Sequence, residues 1–338
     1  MNPIAKAAIL MTIIVVIFIS AWELHLRAKG TVPTYDEGKE QWADKRAKVY
    51  DSAATVFIGS SRIKYDLDID TWRKLTGRQV IQLAMEGNSP VPILENLAVD
   101  PRFNGKLVID VTETAFFLAD DAPGRHEQSE NINYYKDRTP AQRASFILNH
   151  ALESQFVFLD KGGFSLNAML DDLPIPNRPR VNKPAVFPQD FHWITFDRQD
   201  KMSPRFLVDT SLQHQVQNIW QNSHKARDRY RAQHPKDPAP GIIQRVSTAV
   251  AKIKSRGGEV VFVRPPASSP MKEWEEKTFP RAKYWEQVLV ATQCKGIHFA
   301  DDPTTADLIC PEWSHLSPAG AVVYTRSLIR QLPKSFVQ

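Results

Sequence analysis

The apolar positions of this chain fall into three regimes. The first is residues 7–22, AAILMTIIVVIFISAW, which carry no charge and are preceded only by MNPIAK. With Ile4 included and Lys6 able to snorkel, the stretch approaches the roughly 20 residues that a membrane-spanning helix needs. The alternative is a cleaved signal peptide, with Ile19-Ser20-Ala21 as its cleavage site. Trp22 and the Glu23, His25, Arg27 and Lys29 that follow have the composition of an interfacial belt, and they favour an uncleaved anchor over residues 4–24. Charge does not orient this anchor, because Lys6 and the amino terminus precede the span and Arg27 and Lys29 follow it.

The second regime, residues 25–54, is polar and holds one expected helix at 37–50. It reads as a juxtamembrane connector that lifts a soluble domain, residues 55–338, off the bilayer. The third regime alternates short β-branched runs with helical ones. Strands are expected at 55–58, 79–84 (QVIQLA), 106–111 (KLVIDV), 259–263 (EVVFV) and 297–300, with helices at 70–75, 92–99, 241–255, 282–292 and 318–331. Short apolar runs separated by helices predict an α/β fold, a parallel sheet covered on both faces. The rhythm stops over an insertion at about 112–240. Helices are expected there at 140–153 and 206–233, either side of the Pro- and aromatic-rich stretch 173–196 (LPIPNRPRVNKPAVFPQDFHWITF), which reads as a roof over a site. Phe191, Trp193 and Phe196 in that stretch either stack on sugar rings or form the roof's own small core.

Composition narrows the classes. The 338 residues are 42% hydrophobic, enough for a packed core, and allow one large domain or two small ones. The formal charge is +5, but Lys and Arg are interleaved with Asp and Glu, so no nucleic-acid partner is expected; an anionic lipid or envelope polymer stays open. The two cysteines, Cys294 and Cys310, are compatible with a disulfide in an oxidising compartment and equally with two free thiols. The nine histidines include no His-x-His or His-Glu-x-x-His, and no phosphate-cradling glycine loop occurs, so neither a metal nor another cofactor is expected.

Two stretches carry candidate chemistry. In VFIGSSRIKYD, residues 56–66, a strand ends in Gly59, Ser60 and Ser61; these form either a simple turn or a nucleophile at the carboxyl end of a strand. In PEWSHLSPAGAVVY, residues 311–324, Ser317 and Pro318 read as the cap and first turn of a helix, which puts His315 in the loop before it. His315 is either a surface histidine or a general base whose ring Glu312 orients. Arg264, in VRPP, either grips a carboxylate or phosphate bidentately or is an ordinary strand-end arginine.

Gly59-Ser60-Ser61 after the first strand, Gly87-Asn88-Ser89 after the second and Glu312-x-x-His315 before the last helix together resemble the ordered blocks of the SGNH/GDSL hydrolase superfamily. The likeness covers residues 55–112 and 259–332. It implies a three-layer flavodoxin-like sheet, Ser61 as nucleophile, His315 as base, Glu312 in place of the family's Asp, and an oxyanion hole on the Ser61 and Gly87 N–H groups. The third block departs from the family: VIDVTETAFF puts Thr112, Glu113 and Thr114 where an oxyanion Asn is expected, leaving Asn88 or a Thr112 hydroxyl to help. The Gly-Ser-Ser form and the SHLSPAGA ending more closely resemble the membrane-anchored extracytoplasmic branch. That branch includes accessory proteins of lipoteichoic-acid D-alanylation and the alginate and peptidoglycan O-acetyltransferases. This likeness implies a single-pass protein of the bacterial inner or cytoplasmic membrane with its soluble domain periplasmic or otherwise extracytoplasmic. The implied activity is serine-dependent acyl transfer or ester hydrolysis on a cell-envelope glycan, beside a membrane-bound O-acyltransferase. The alternative is a non-catalytic accessory or glycan-binding protein of the same fold.

Overall fold

The structure, a computed structural model, describes residues 2–35, 38–119, 127–164, 170, 173 and 186–337. The chain forms two compact units. One comprises Met1–Asp36, Thr139–Pro184 and Trp193–Phe196; the other comprises Glu37–Arg138, Ala185–His192 and Asp197–Gln338. Most of the Pro-rich stretch 173–196 lies outside the described residues.

The first unit opens with the helix Pro3–Ala28, capped by Asn2, whose Oδ1 accepts the Ile4 N–H at 3.1 Å. It is long and apolar enough to cross a membrane, with a mean hydropathy of 2.5 in its apolar window, and its side chains from Ile9 to Phe18 are exposed. Its last turns have a different role. The buried Glu23 carboxylate accepts the N–H groups of Val157 and Phe158 at 3.1 and 3.0 Å, and Arg27 binds both Glu23 and the Gln155 carbonyl at 2.6 Å. Two residues of the expected interfacial belt are therefore hydrogen-bonded parts of a folded unit. Tyr35 packs there against Phe146, His150 and Phe196.

The second unit holds a five-stranded parallel sheet: β1 (Ala54–Ile58), β2 (Gln79–Gln82), β3 (Lys106–Asp110), β4 (Glu259–Arg264) and β5 (Lys295–His298), in the order β2-β1-β3-β4-β5. Alternate residues serve opposite faces. Val56, Ile58, Leu107, Ile109, Val260 and Phe262 pack with the helices Val91–Val99, Ala239–Lys254 and Trp285–Thr292. Phe57, Val108, Val261 and Val263 pack on the other side with Ile63, Trp72, Tyr324 and Leu328. Burial on both faces is why these strands read as unbroken apolar runs rather than as alternating ones.

Several expectations are corrected. The polar helix assigned to a connector, Lys39–Ala47, belongs to this unit: Trp42 is fully buried in its core, and its indole N–H bonds the Leu83 carbonyl at 3.1 Å. One large anchor in a polar helix is easily missed by periodicity. The single helix expected at 206–233 is two, Pro204–Val208 and Thr210–Gln233, because the Asp209 carboxylate caps the second by accepting the Ser211 and Leu212 N–H groups. β5 ends two residues early because His298 Nδ1 accepts the Ala300 N–H and starts a 3₁₀ turn. Both cysteines are free thiols; Cys294 packs against the core on one face of the sheet and Cys310 lies in the core on the other.

His298 gives the fold a pH dependence. Desolvation, reinforced by Arg264 and Arg281, pushes its pKa from 6.5 down to about 3. The unfolded chain therefore binds a proton that the folded chain refuses. Its contribution to stability is complete above about pH 6.5 and is lost as the pH falls toward 3. The melting midpoint is expected to drop on acidification from pH 7 to 4. His298→Asn, which keeps an acceptor for Ala300, should flatten the part of that slope beginning near pH 6.5; an unchanged slope would reject His298 as its source.

Candidate active site

The site begins with a close approach between strands. A Cβ on Gly59 would lie 2.4 Å from Asp110 Cβ and 2.7 Å from Ile63 Cγ2, so only glycine lets β1 pass the end of β3 here. Asp110, buried behind it, accepts the Ser60 N–H at 2.9 Å, the Ser60 hydroxyl at 2.8 Å and the Thr112 hydroxyl at 2.9 Å. Burial raises the Asp110 pKa, and these hydrogen bonds oppose that rise. Ser60 also caps the helix Ser61–Asp66, accepting the Arg62 N–H at 3.4 Å. The two adjacent serines thus divide their work. Ser60 anchors the turn, and Ser61, the first helical residue, places its Oγ 2.8 Å from His315 Nε2 across 254 residues of sequence.

His315 is held on its other side. Its Nδ1 and its own backbone N–H both reach Glu312 Oε1, at 2.8 and 2.7 Å, while the second Glu312 oxygen accepts the indole N–H of Trp220. Glu312 is 0% and His315 2% exposed, so this hydrogen-bonded chain is shielded from water. The loop folds back this tightly because Trp313 adopts φ 78, a left-handed conformation unusual for a bulky residue. Tyr65 stacks on the His315 ring at 4.2 Å and bonds His192 Nδ1 at 2.5 Å. Burial lowers the His192 pKa, which favours the neutral ring as acceptor of the Tyr65 hydroxyl. Asp66 Oδ1 accepts the Leu316 N–H at 2.8 Å and ties the serine helix to the histidine loop; Thr325 Oγ1, in the helix Pro318–Gln331, accepts the N–H of Asp68, which caps the next helix, at 2.7 Å.

A pocket of about 610 Å³ opens over Ser61 and His315. It lies at the carboxyl ends of β1, β2 and β3, where the strand order reverses, the general position for ligands of open α/β sheets. Of the four residues expected to assist, Gly87 and Thr112 border it. Gly87 has φ +64, a conformation suited to glycine, and the Ser61 N–H belongs to a first helical turn, whose N–H groups lack intrahelical acceptors. Thr112 directs its single hydroxyl proton to Asp110. Thr114 borders the pocket as well.

Asn88 and Arg264 are corrected. The Asn88 amide nitrogen is engaged by the Glu86 carbonyl at 2.7 Å and by Glu127 at 2.8 Å. The Arg264 guanidinium is buried: it bonds Glu113 at 2.8 and 3.0 Å, Glu275 at 2.6 Å and the Pro265 carbonyl at 2.6 Å. Glu275 in turn takes Arg62 at 2.5 and 3.0 Å. Burial alone would raise Glu275, but Arg62 and Arg264 override it and bring its pKa to about 2. Arg264 therefore braces the floor of the site rather than gripping a substrate.

One group has the donor types of a metal site: Glu86, His192 and Asp200 offer ligand atoms within 4.8 Å of one another. The Lys64 ammonium stands 3.0 Å from Glu86 and 3.1 Å from Asp200, supplying the positive charge these carboxylates need. The insertion's aromatics separate. Phe191 borders the pocket against Tyr65 and Phe206, whereas Phe196 packs on Tyr35 in the other unit, to which Trp193 also belongs.

Sequence reasoning expected a helix over 206–233 but missed that Thr210–Gln233 lines the site. Its Trp220, Ser223, His224 and Arg227 all line the pocket, and their spacing of i, i+3, i+4 and i+7 puts them on one helical face. That spacing was legible, but with polar and aromatic residues mixed it does not register as an apolar stripe. A scan against protein-family models and a search of curated proteins match nothing in this chain.

Proposed function

We propose that this chain is a serine-dependent acyl-transfer enzyme of the SGNH/GDSL type, acting by transfer or hydrolysis on a cell-envelope glycan. The observation that carries the reading is the hydrogen-bonded chain from Ser61 Oγ through both His315 ring nitrogens to Glu312, with two links of 2.8 Å. In the proposed reaction Ser61 Oγ attacks the carbonyl carbon of an acyl ester while His315 Nε2 takes its proton. Glu312 holds the imidazolium, and the N–H groups of Ser61 and Gly87 receive the oxyanion. Collapse expels the alcohol, which His315 protonates, and leaves acyl-Ser61. Water or a glycan hydroxyl then gives its proton to His315 and takes the acyl group, restoring Ser61.

The strand order 2-1-3-4-5 supports a flavodoxin-like SGNH arrangement. The apolar helix Pro3–Ala28 supports a single-pass anchor. A periplasmic or otherwise extracytoplasmic soluble domain on the bacterial inner or cytoplasmic membrane, and a membrane-bound O-acyltransferase as supplier of acyl groups, follow from the resemblance alone.

The test is intact-mass spectrometry of the purified chain mixed with p-nitrophenyl acetate. One acetyl adduct on Ser61, absent in His315→Gln, is the expected result; its rate of loss with and without added envelope glycan separates transfer from hydrolysis. A second reading, a non-catalytic glycan-binding accessory protein, draws support from the engagement of Asn88 and Thr112 elsewhere. Loss of one oxyanion donor typically costs about 10²–10³ in rate. Glycan binding without any acetyl adduct would favour this second reading.

A further inference from the structure

The pocket holds two arginines, and they differ in one respect. Arg62 is buried and engaged by Glu275 and the Ser314 hydroxyl. Arg227 is half-buried and, among the described residues, makes no hydrogen bond or ion pair. Glu275, whose charge acts on it, and Asp228, its neighbour in sequence, are both engaged elsewhere. Glu275 faces Arg62 and Arg264, and Arg264 also binds Glu113, so two carboxylates and two guanidinium groups already balance. Asp228, next in sequence, accepts the indole N–H of Trp274 instead.

Arg227 is therefore a guanidinium without a paired anion, at the end of the pocket farther along the helix from Trp220, in a lining that also includes Lys39, Glu86, Glu127 and Glu130. Desolvation pushes its pKa down, Glu275 pulls it up and Arg62 pushes it down again. A partly desolvated guanidinium without an anion is unfavourable, and a bound oxyanion removes that cost. Ser223, one turn earlier on the same face, borders the pocket and adds a hydroxyl. His224 lies flat on Trp274 at 4.0 Å, and burial lowers its pKa, so at neutral pH it is a polar ring rather than a competing cation. The same helix carries Trp220, whose indole N–H bonds Glu312. One rigid element thus spans from the acid of the triad to the unpaired charge.

We infer that Arg227, with Ser223, forms a subsite for an oxyanion, a carboxylate or phosphate, on the molecule that occupies the pocket, so that this chain selects an anionic rather than a neutral glycan. The guanidinium fork suits either anion in bidentate geometry. The inference rests on the acyl-transfer reading only for what happens to the bound molecule. Binding itself is measured in Ser61→Ala, which cannot turn over by that route.

The experiment is calorimetric titration of the Ser61→Ala chain at low salt with three ligands: an oligogalacturonate for the carboxylate, a poly(glycerol phosphate) oligomer for the phosphate and a cello-oligosaccharide as the neutral control. At least one anion should bind about tenfold or more tightly than the neutral glycan, as expected for a charge-assisted bidentate pair. Which anion binds identifies the source of the oxyanion. Adding Arg227→Gln should abolish the preference and Arg227→Lys should keep part of it, with melting curves confirming that each variant folds. Equal affinity for all three ligands, no measurable binding of either anion, or a preference that survives Arg227→Gln would overturn the inference. A subsite that passes in a chain whose Ser61 never acylates would retire the enzyme reading and leave the subsite standing.

Discussion

Ser61→Ala is expected to abolish labelling by a fluorophosphonate and to lower ester turnover by about 10⁴-fold or more, the scale seen when a triad nucleophile is removed. Of the two adjacent serines, Ser61 has its hydroxyl on His315 Nε2, at 2.8 Å, and is the first residue of a helix, lining the pocket with Gly87. The adjacent serine makes an internal control of similar chemistry. Ser60→Ala removes a hydroxyl that donates to the buried Asp110 and caps the next helix, so its expected cost is about 1–3 kcal/mol of stability, the scale of a buried acceptor left unsatisfied. Labelling in that variant should still map to Ser61. Both quantities come from one preparation, by peptide mapping of the labelled chain and by thermal melting. Labelling at Ser60, or turnover in Ser61→Ala within a few-fold of the parent, would remove Ser61 from the role of nucleophile.

The division between those serines also marks how far sequence could be read. The sheet was legible because each strand is buried on both faces, which forces runs such as KLVIDV and EVVFV with no polar face to blur them. The places of Ser61, just after a strand, and of Glu312 and His315, just before a capped helix, were legible because glycine, serine and proline mark those ends locally. Asn88 and Arg264 misled for a shared reason. Both are polar residues beside the site by sequence, and where each donor points depends on carboxylates far along the chain: Glu127 for one, Glu113 and Glu275 for the other. No local pattern records such a partnership. Trp42 was hidden because one large side chain can anchor a helix that is polar elsewhere. The pocket-lining face of Thr210–Gln233 was hidden because a binding face need not be apolar, so hydrophobic periodicity passes over it.

Glu312→Gln is expected to lower ester turnover by about 10³–10⁴-fold while leaving Ser61 and His315 in place, the loss that follows when a triad carboxylate becomes an amide. The reason lies in how many donors this carboxylate receives. Oε1 accepts both the backbone N–H and the Nδ1–H of His315, and the other oxygen accepts the Trp220 indole N–H. All three partners donate, and a glutamine offers only one acceptor atom. If its oxygen keeps His315, its NH₂ group faces the Trp220 N–H, two donors in a dry site; the reverse orientation turns NH₂ toward Nδ1 and favours the wrong imidazole tautomer. Either choice also removes the charge that stabilises the imidazolium formed when Ser61 attacks. Glu312→Asp keeps the charge but shortens the reach, so it should recover part of the lost rate. Trp220→Phe relieves the donor conflict, and combined with Glu312→Gln it should restore stability without restoring turnover. Turnover in Glu312→Gln within about threefold of the parent, with an unchanged melting curve, would mean that His315 needs no negative charge behind it and that Glu312 only shapes the loop.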